Sequence, residues 1–278
     1  MITLDNLKFS YTNNGIPALT GVTAKVGPGF HLLVGENGAG KTTLLHLLAG
    51  VASPTSGECR IDNYPADSKV PSKMGRTFLL EENMYFPGKT ILDFANRHAH
   101  FYPKFSEEKF LNNLAAFGLS GYEKFKYQSL GNRKKAQLAY VLALGVEVLL
   151  LDEPTNALDI QSKEILRKML ASSQTDNQTV IVATHTISEL ENLFDGAMIL
   201  NRSQLLYSGT AEDVSKHLSF EVLRMPDSSA IYQEVQVGRV LAIFPSDGEN
   251  NETKVDWRLL YSAFHSDKKE ELKRILSR

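Results

Sequence analysis

A glycine-rich segment near the N-terminus has the spacing of a phosphate-binding loop. Eight consecutive residues fit the pattern Gly-x4-Gly-Lys-[Ser/Thr] in full: Gly35, Glu36, Asn37, Gly38, Ala39, Gly40, Lys41 and Thr42. Glycines let the backbone wrap around phosphate oxygens, with several N–H groups converging on them. We expect Lys41 to reach the β- and γ-phosphates of a nucleotide, the Thr42 hydroxyl to bind Mg²⁺, and Thr43 to complete the binding segment. A chance glycine-rich turn is the alternative, but an apolar strand before the loop and a helix after it disfavour that reading.

A second group of reactive side chains stands at the ends of two apolar segments. Asp152 and Glu153 follow the run 148–151, where an ion is costly unless something such as a metal offsets it. We expect Asp152 to hold Mg²⁺ directly or through water, and Glu153 to act as general base or to position the attacking water. His185 follows the apolar run 179–183. A lone histidine there is usually structural, but beyond a core strand of a phosphate-loop protein it can hydrogen-bond the γ-phosphate.

The pattern of apolar residues indicates the elements that must position these side chains. Alternation in the first thirty residues predicts antiparallel strands, and strand 31–34, the glycine loop and helix 42–48 begin an α/β core. A helical block is predicted over about 84–144, and a different kind of segment begins after residue 217. The remaining predictions are helices at 91–101, 106–117, 133–144, 160–170, 187–193 and 268–276, strands at 146–151, 179–183, 196–200, 220–223 and 235–244, and a polar loop at 246–252.

The overall composition limits the classes of function. The chain has 278 residues, 42% of them hydrophobic, and a formal net charge of −2, which gives no support for broad binding to nucleic acid. Its single cysteine, Cys59, cannot staple a fold, and no Cys/His cluster has zinc-site spacing. The N-terminus lacks a secretory pattern, and the most apolar stretch, 141–151, is shorter than the ~20 residues of a spanning helix. We therefore expect action at a membrane to require docking on another subunit.

Over residues 2–217 the ordered motifs resemble the ATP-binding-cassette family. They include the phosphate loop, the Asp152–Glu153 strand end and His185 as the switch histidine. The resemblance further assigns Tyr11 as the aromatic residue that stacks on adenine, Glu81 as the Q-loop residue and a metal ligand, Ser129 and Gly131 as signature residues, and Asp159 as the D-loop residue. It implies an α/β fold with a P-loop NTPase (RecA-like) core, an antiparallel β subdomain and an inserted helical subdomain. Residues 1–217 would be the ATPase domain, and 218–278 a small α+β accessory extension.

The resemblance also implies a mechanism and partners. Two cassettes, the second being another copy or a similar subunit, would sandwich two ATP molecules. Ser129 and Gly131 of each would contact the partner's γ-phosphate, while Asp159 would link the two sites. Catalysis would rest on Glu153, His185 and Lys41, with ATP and Mg²⁺ bound. A membrane-spanning permease subunit would hold the chain at the cytoplasmic face of the membrane, and no nucleic acid partner is implied. The segment 101–106 and the signature variant resemble exporters of the ABC-2 kind.

Three departures from the family pattern leave alternatives open. Glu81 stands where glutamine is usual, and the adjacent Glu82 leaves the register undecided. Leu130 replaces a signature glycine, although leucine does not readily adopt the positive φ that glycine allows. Tyr11 is only one aromatic candidate, because Phe9 is nearby, although Phe9 continues the strand alternation and is expected to point into the core. Separately, the basic run 133–135 is a solvated helix face or a support for the partner's phosphates. A soluble ABC ATPase acting on ribosomes or DNA, or a regulatory subunit that hardly hydrolyses ATP, are the competing functions. Residues 218–278 are a regulatory or dimer-stabilising module, or only a packing extension.

Overall fold

A computed structural model of the chain describes residues 1–12, 15–70, 75–173, 177–246 and 253–277. The strands are β1 (Ile2–Phe9), β2 (Leu19–Val26), β3 (Gly29–Gly35), β4 (Ser56–Ile61), β5 (Tyr64–Pro65), β6 (Thr77–Leu80), β7 (Val148–Asp152), β8 (Thr179–Ala183), β9 (Gly196–Asn201), β10 (Gln204–Thr210), β11 (Leu218–Leu223), β12 (Tyr232–Gln236) and β13 (Arg239–Pro245). The helices are α1 (Lys41–Leu48), α2 (Ile91–His98), α3 (Glu107–Ala116), α4 (Leu130–Val141), α5 (Ile160–Ser173), α6 (Ala211–Ser215), α7 (Trp257–Phe264) and α8 (Lys269–Leu276).

The N-terminal strands form the predicted antiparallel sheet, in the order β2-β1-β4-β5. Apolar side chains that alternate along β1 and β2, such as Leu4, Leu7 and Val22, are fully buried. They pack with Leu44 and Leu48 of α1 in one apolar cluster. This sheet therefore covers one side of the helix that follows the phosphate loop.

The central sheet brings the reactive segments together. Its order is β10-β9-β3-β8-β7-β6, and every pairing is parallel except that of β10 with β9. Because β3, β8 and β7 are neighbours and parallel, their carboxyl ends lie at one edge of the sheet. The phosphate loop, His185 and the Asp152–Glu153 pair leave the sheet from that edge. An α/β fold of the predicted kind results.

The helical block between β6 and β7 is built around Tyr140. Its ring is fully buried and contacts the rings of Phe86, Phe94 and Phe110 at centroid distances of 6.0, 5.1 and 5.8 Å. The predicted helices of this block exist, with shifted ends. In particular, α4 begins at Leu130 instead of residue 133, because the Ser129 side chain caps its first turn.

The C-terminal segment forms a three-stranded antiparallel sheet, β11-β13-β12, with α7 and α8 beside it. The prediction of one strand over 235–244 was wrong, since β12 and β13 form a hairpin that turns at Gly238, whose φ is +77°. The helix α7 was not predicted; Asp256 caps it by accepting a hydrogen bond from the Leu259 N–H at 2.6 Å. Most of the predicted polar loop, 247–252, lies outside the described residues.

Two further features concern single elements. The predicted helix over 187–193 is instead two short 3₁₀ turns, Ile187–Glu189 and Glu191–Leu193. In the part of the chain that the structure describes, no helix has both the length and the apolar character needed to cross a bilayer.

Candidate nucleotide-binding and hydrolytic site

The junction between the phosphate loop and α1 requires a glycine. Gly40 caps the helix at φ +105°, and a Cβ there would lie 2.7 Å from the carbonyl oxygen of Ala18. The Lys41 ammonium folds back over the loop and donates to the carbonyl oxygens of Gly35 at 2.7 Å and Glu36 at 3.2 Å. The cation and the positive end of α1 thus face the same space, as an anion site requires.

Thr42 and Asp152 meet at the base of this space. The Thr42 hydroxyl donates to Asp152 Oδ2 at 2.8 Å. Burial raises the pKa of the Asp152 carboxyl, although the hydrogen bond from Thr42 opposes this. One hydroxyl and one carboxylate suit a Mg²⁺ ion that takes its other ligands from phosphate oxygens and water. No group of three or more His, Cys, Asp or Glu side chains that could hold a metal occurs among the described residues.

Glu153 and His185 form the other half of the site. His185 donates to Glu153 Oε1 from its ring Nδ1 at 2.8 Å and from its backbone N–H at 3.1 Å. Glu153 has a φ of +45°, an uncommon conformation for a residue with a side chain. Within the described residues its buried Oε2 has no hydrogen-bond partner. A buried carboxylate oxygen without a partner fits an atom that receives a proton from water or holds a water in place.

Two adjoining cavities surround these groups. One, of about 340 Å³, is lined by Tyr11, Gly38, Lys41, Thr42 and Asp152 among others. The other, of about 450 Å³, is lined by Glu36, His185 and further residues. Asn37, Glu82 and Glu153 line both cavities, so the phosphate-binding and hydrolytic groups share one continuous wall.

Tyr11 lies at the rim of the smaller cavity. The residue is 67% exposed, and its hydroxyl is hydrogen-bonded to Thr43 Oγ1 at 2.9 Å. Phe9, the other aromatic residue nearby, packs against the core of the antiparallel sheet and meets the Tyr11 ring edge-on at 5.0 Å. An exposed ring fixed by a hydrogen bond to the phosphate-binding segment is suited to stacking on a base.

The structure brings Glu82, rather than Glu81, to the cavities. The Glu81 carboxylate lies 2.7 Å from His46 Nε2 on α1, whereas Glu82 lines both cavities and raises the pKa of Asp152. Glu82 Oε1 also accepts a hydrogen bond from Asn156 at 2.6 Å. Glu81 therefore lies beside His46 and lines neither cavity, and its role as a metal ligand stays a prediction.

The signature residues lie apart from the phosphate loop of the same chain. Ser129 caps α4 by accepting a hydrogen bond from the Asn132 N–H at 3.2 Å, and neither Ser129 nor Gly131 lines the two cavities. Leu130 is the first residue of α4 and needs no positive φ, so its replacement of glycine carries no backbone cost there. A Cβ at Gly131 would lie 2.7 Å from the Ala157 carbonyl oxygen, which explains why glycine is needed at this position.

Asp159 joins the start of α5 to α4. Its Oδ1 accepts from the N–H and hydroxyl of Ser162, both at 2.8 Å, and its Oδ2 pairs with Lys135 at 2.9 Å. The bond from Lys135 and those from Ser162 hold the pKa of Asp159 well below its usual range. Asp159, the predicted D-loop residue, is thereby attached to α4 of its own chain, the helix that begins at the predicted signature residues.

Lys134 departs from the expected solvated face of the basic run. Its side chain is buried, its ammonium donates to the Glu82 carbonyl oxygen at 3.2 Å, and burial lowers its pKa to about 8. The charges of Glu82, Asp152 and Glu153 oppose that lowering. Arg133, in contrast, is exposed as expected. The one sequence feature that indicates this burial is helical spacing, because Lys134 lies one and two turns before the buried Leu138 and Val141 on the same face of α4.

Tyr261 was missed entirely by sequence reasoning. It belongs to α7, yet it lines the larger cavity opposite the phosphate loop, with Glu36 and His185. Burial, followed by the negative charge of Glu36, raises the pKa of its hydroxyl. No local pattern could have found it, since more than two hundred residues separate it from Glu36 in the chain.

Comparison with known proteins identifies the family in which these motifs occur. The family profile described as ABC transporter matches residues 19–156. EcfA1 of Mycoplasma mobile, an energy-coupling factor transporter ATP-binding protein, is 30% identical over 243 residues, which cover 84% of this chain and 88% of that protein. EcfA of Methanothermobacter thermautotrophicus is 29% identical over 251 residues, covering 85% and 80%. A dimeric structure of MJ0796, a bacterial ABC transporter cassette, superposes with a TM-score of 0.64 at 25% identity, covering 76% of this chain and 98% of that one.

The chain therefore belongs to the ATP-binding subunits of ABC transporters, a family of ATPases.

Proposed function

We propose that the chain is the motor subunit of an ABC transporter and works at the cytoplasmic face of a membrane, bound to a permease subunit. The single observation that carries the proposal is the Glu153–His185 pair, at 2.8 Å, in a cavity wall shared with the phosphate loop. A subunit that only bound nucleotide would not need this pair. Its presence supports ATP hydrolysis over a purely regulatory role.

Each side chain of the site has a proposed role. Lys41 and the loop N–H groups bind the β- and γ-phosphates, and Tyr11 stacks on adenine. Thr42 and Asp152, assisted by Glu82, would hold Mg²⁺, which when bound supplies charge stabilisation to the transferring phosphoryl group. Glu153 orients the attacking water through Oε2, which has no hydrogen-bond partner among the described residues, and His185 fixes the Glu153 carboxylate through Oε1.

A second cassette is part of the proposal. Ser129 and Gly131 stand away from the nucleotide cavities of their own chain, so as signature residues they are available to a neighbouring chain's γ-phosphate. Asp159 links the two sites. An isologous pair of this chain, or a pair with a similar cassette, satisfies this arrangement. The dimeric structure reported for the MJ0796 cassette supports such pairing.

The proposal also includes a direction of transport, which is export. The signature variant at 128–132 and the segment 101–106 favour an exporter of the ABC-2 kind. The names of the relatives favour a second candidate, an energy-coupling factor transporter. The two differ in the membrane partner, which identifies the transporter class, so the partner decides between them.

Capture from native membranes tests the proposal. Tagged Glu153→Gln, purified with ATP after gentle solubilisation, is expected to retain a multi-span membrane protein identifiable by mass spectrometry. The matched control is Glu164→Gln, the same change at an ion-paired surface acid of α5. Recovery of only the chain itself, or of ribosomal or DNA-repair proteins, from a preparation that binds ATP would reject the transporter role.

Transport assays on the captured complex then test direction. Reconstituted with the cassettes outside the vesicle, an exporter accumulates its substrate inside when ATP is added outside. An uptake transporter in the same orientation empties the vesicle instead. ATP-driven loss of substrate from such vesicles would overturn the exporter assignment.

A further inference from the structure

The helix α7 is anchored to the segment that follows the switch histidine. The Trp257 indole N–H, which is fully buried, donates to the Phe194 carbonyl oxygen at 3.2 Å. Before the helix, the Lys254 ammonium bonds Asn192 Oδ1 at 2.8 Å, and at its end Phe264 stacks on Tyr207 with centroids 5.6 Å apart. The C-terminal segment therefore has a fixed position relative to the residues just after His185.

Tyr261 projects from this anchored helix into the hydrolytic side of the site. It is one turn beyond Trp257 and so lies on a neighbouring part of the same face. Its ring contacts the His265 ring with centroids 4.2 Å apart, and it lines the 450 Å³ cavity with Glu36, Glu153 and His185. It is not among the residues that line the smaller cavity, where Tyr11 lies.

The chemistry of Tyr261 suits a hydrogen-bond donor aimed at an anion. Burial and, after it, the nearby carboxylate of Glu36 raise the pKa of the Tyr261 hydroxyl and so favour the neutral phenol, which can donate. Among the described residues, no side chain or backbone group is hydrogen-bonded to its hydroxyl. Glu36 itself lies in the phosphate loop and is exposed there, so its negative charge stands beside the site of an incoming phosphate.

We propose that Tyr261 is a positioning residue for ATP hydrolysis. Its hydroxyl acts on the Glu36 carboxylate through one bridging water in the cavity that both residues line. This link holds the Glu36 charge and the cavity wall in the arrangement that lets Glu153 bind the attacking water. The inference rests on the proposed ATP-driven function and deepens it. It makes the C-terminal segment 218–277 a working part of the hydrolytic site, not a packing extension.

Removal of one hydroxyl tests this role. In the full chain, Tyr261→Phe is expected to lower kcat for ATP hydrolysis about three- to tenfold, the size of one net hydrogen bond, and to change KM for ATP less than about twofold. Tyr261→Ala is expected to lower kcat at least as much. The matched control is Tyr232→Phe, the same change in the same segment at a hydroxyl that bonds Glu234 and lines neither cavity.

A double variant tests the path through Glu36. In a Glu36→Gln background, Tyr261→Phe is expected to change kcat less than twofold, because the carboxylate it acts on is gone. An unchanged kcat in Tyr261→Phe, or an equal loss in both backgrounds, would overturn the proposal. If Tyr261→Phe and Tyr232→Phe lower Tm equally and have equal kcat, Tyr261 contributes only to packing.

The failure of this inference is distinguishable from failure of the proposed function. If the wild-type chain, alone or with its membrane partner, hydrolyses no ATP, the proposed motor function fails. If the wild type hydrolyses ATP and Tyr261→Phe does so equally well, only the role of Tyr261 fails.

Discussion

The carboxylate of Glu153 and the ring of His185 are joined by a 2.8 Å hydrogen bond, and the backbone N–H of His185 binds the same oxygen. One carboxylate oxygen is thus fixed while the other, Oε2, is buried without a partner in the described residues. A fixed and a free oxygen on one acid suit the positioning of a single water. Removal of the Glu153 charge is therefore expected to impair ATP hydrolysis.

Glu153→Gln keeps the shape of the side chain but removes its basicity. We expect kcat for ATP hydrolysis to fall by about 10²–10⁴-fold while ATP affinity is retained, since Glu153 contributes to the reaction and not to phosphate binding. Phosphate release and nucleotide binding measured on one preparation would check this. A loss confined to affinity, with kcat preserved, would contradict it.

The buried carboxylate of Asp152 is expected to lower the stability of the nucleotide-free chain while it contributes to Mg²⁺ binding. Burial raises its pKa, so the ionised form is unfavourable in the folded chain until a cation offsets it. Asp152→Asn is therefore expected to raise Tm by about 2 °C or more without nucleotide. It is also expected to weaken Mg²⁺-dependent ATP binding more than tenfold, about 1.4 kcal/mol.

Differential scanning calorimetry and titration with ATP in the presence and absence of Mg²⁺ measure the two effects of Asp152→Asn. Asp5→Asn, at an exposed acid of β1, is the matched control and should alter neither. A variant that loses stability while keeping Mg²⁺-dependent binding would refute the assignment of Asp152.

The two adjacent acids after β6 can be separated by identical substitutions. Glu82→Gln is expected to raise the Mg²⁺ concentration for half-maximal ATPase severalfold, because Glu82 lines both cavities and acts on Asp152. Glu81→Gln should change it less than twofold, since its carboxylate pairs with His46. A Mg²⁺ titration of ATPase activity in the two variants and the wild type measures both effects. A larger effect of Glu81→Gln than of Glu82→Gln would favour Glu81 as the residue of the metal site.

Lys134 predicts a pH dependence of stability. Its pKa falls from 10.5 to about 8 on folding, so between these values the unfolded chain binds more protons. The free energy of unfolding attributable to Lys134 therefore rises with pH from about 8 to 10.5, by roughly 3 kcal/mol at most. The same gain is lost as the pH falls from 10.5 to about 8. Lys134→Met should be more stable than wild type at pH 7, with an advantage that shrinks toward pH 10.

Urea denaturation of wild type and Lys134→Met at pH 7, 8, 9 and 10 measures the effect of Lys134. Arg133→Met, at an exposed cation of the same helix, provides the comparison and is expected to give a pH-independent difference. An advantage of Lys134→Met that stays constant over this range would exclude the depressed pKa as its cause.

The parts of the site that are local in the chain could be predicted from the amino-acid sequence alone. The phosphate loop depends on glycines and a lysine at fixed spacing, and the Asp152–Glu153 pair depends on an apolar strand that ends in two acids. Both signals lie within eight residues, where backbone geometry limits what the chain can do. The α/β core followed in the same way, from apolar runs interrupted by glycine.

Which distant groups lie close together depends on how the elements pack. Sequence spacing could not tell which of Glu81 and Glu82 lines the cavities, because the Glu81 carboxylate contacts His46 of α1, which is distant in the chain. The burial of Lys134 depends on how α4 packs against the loop after β6, and the position of Tyr261 depends on the anchoring of α7 beside Phe194. Contacts across long chain separations follow from the packing of whole elements, so the local pattern of residue types does not specify which groups meet.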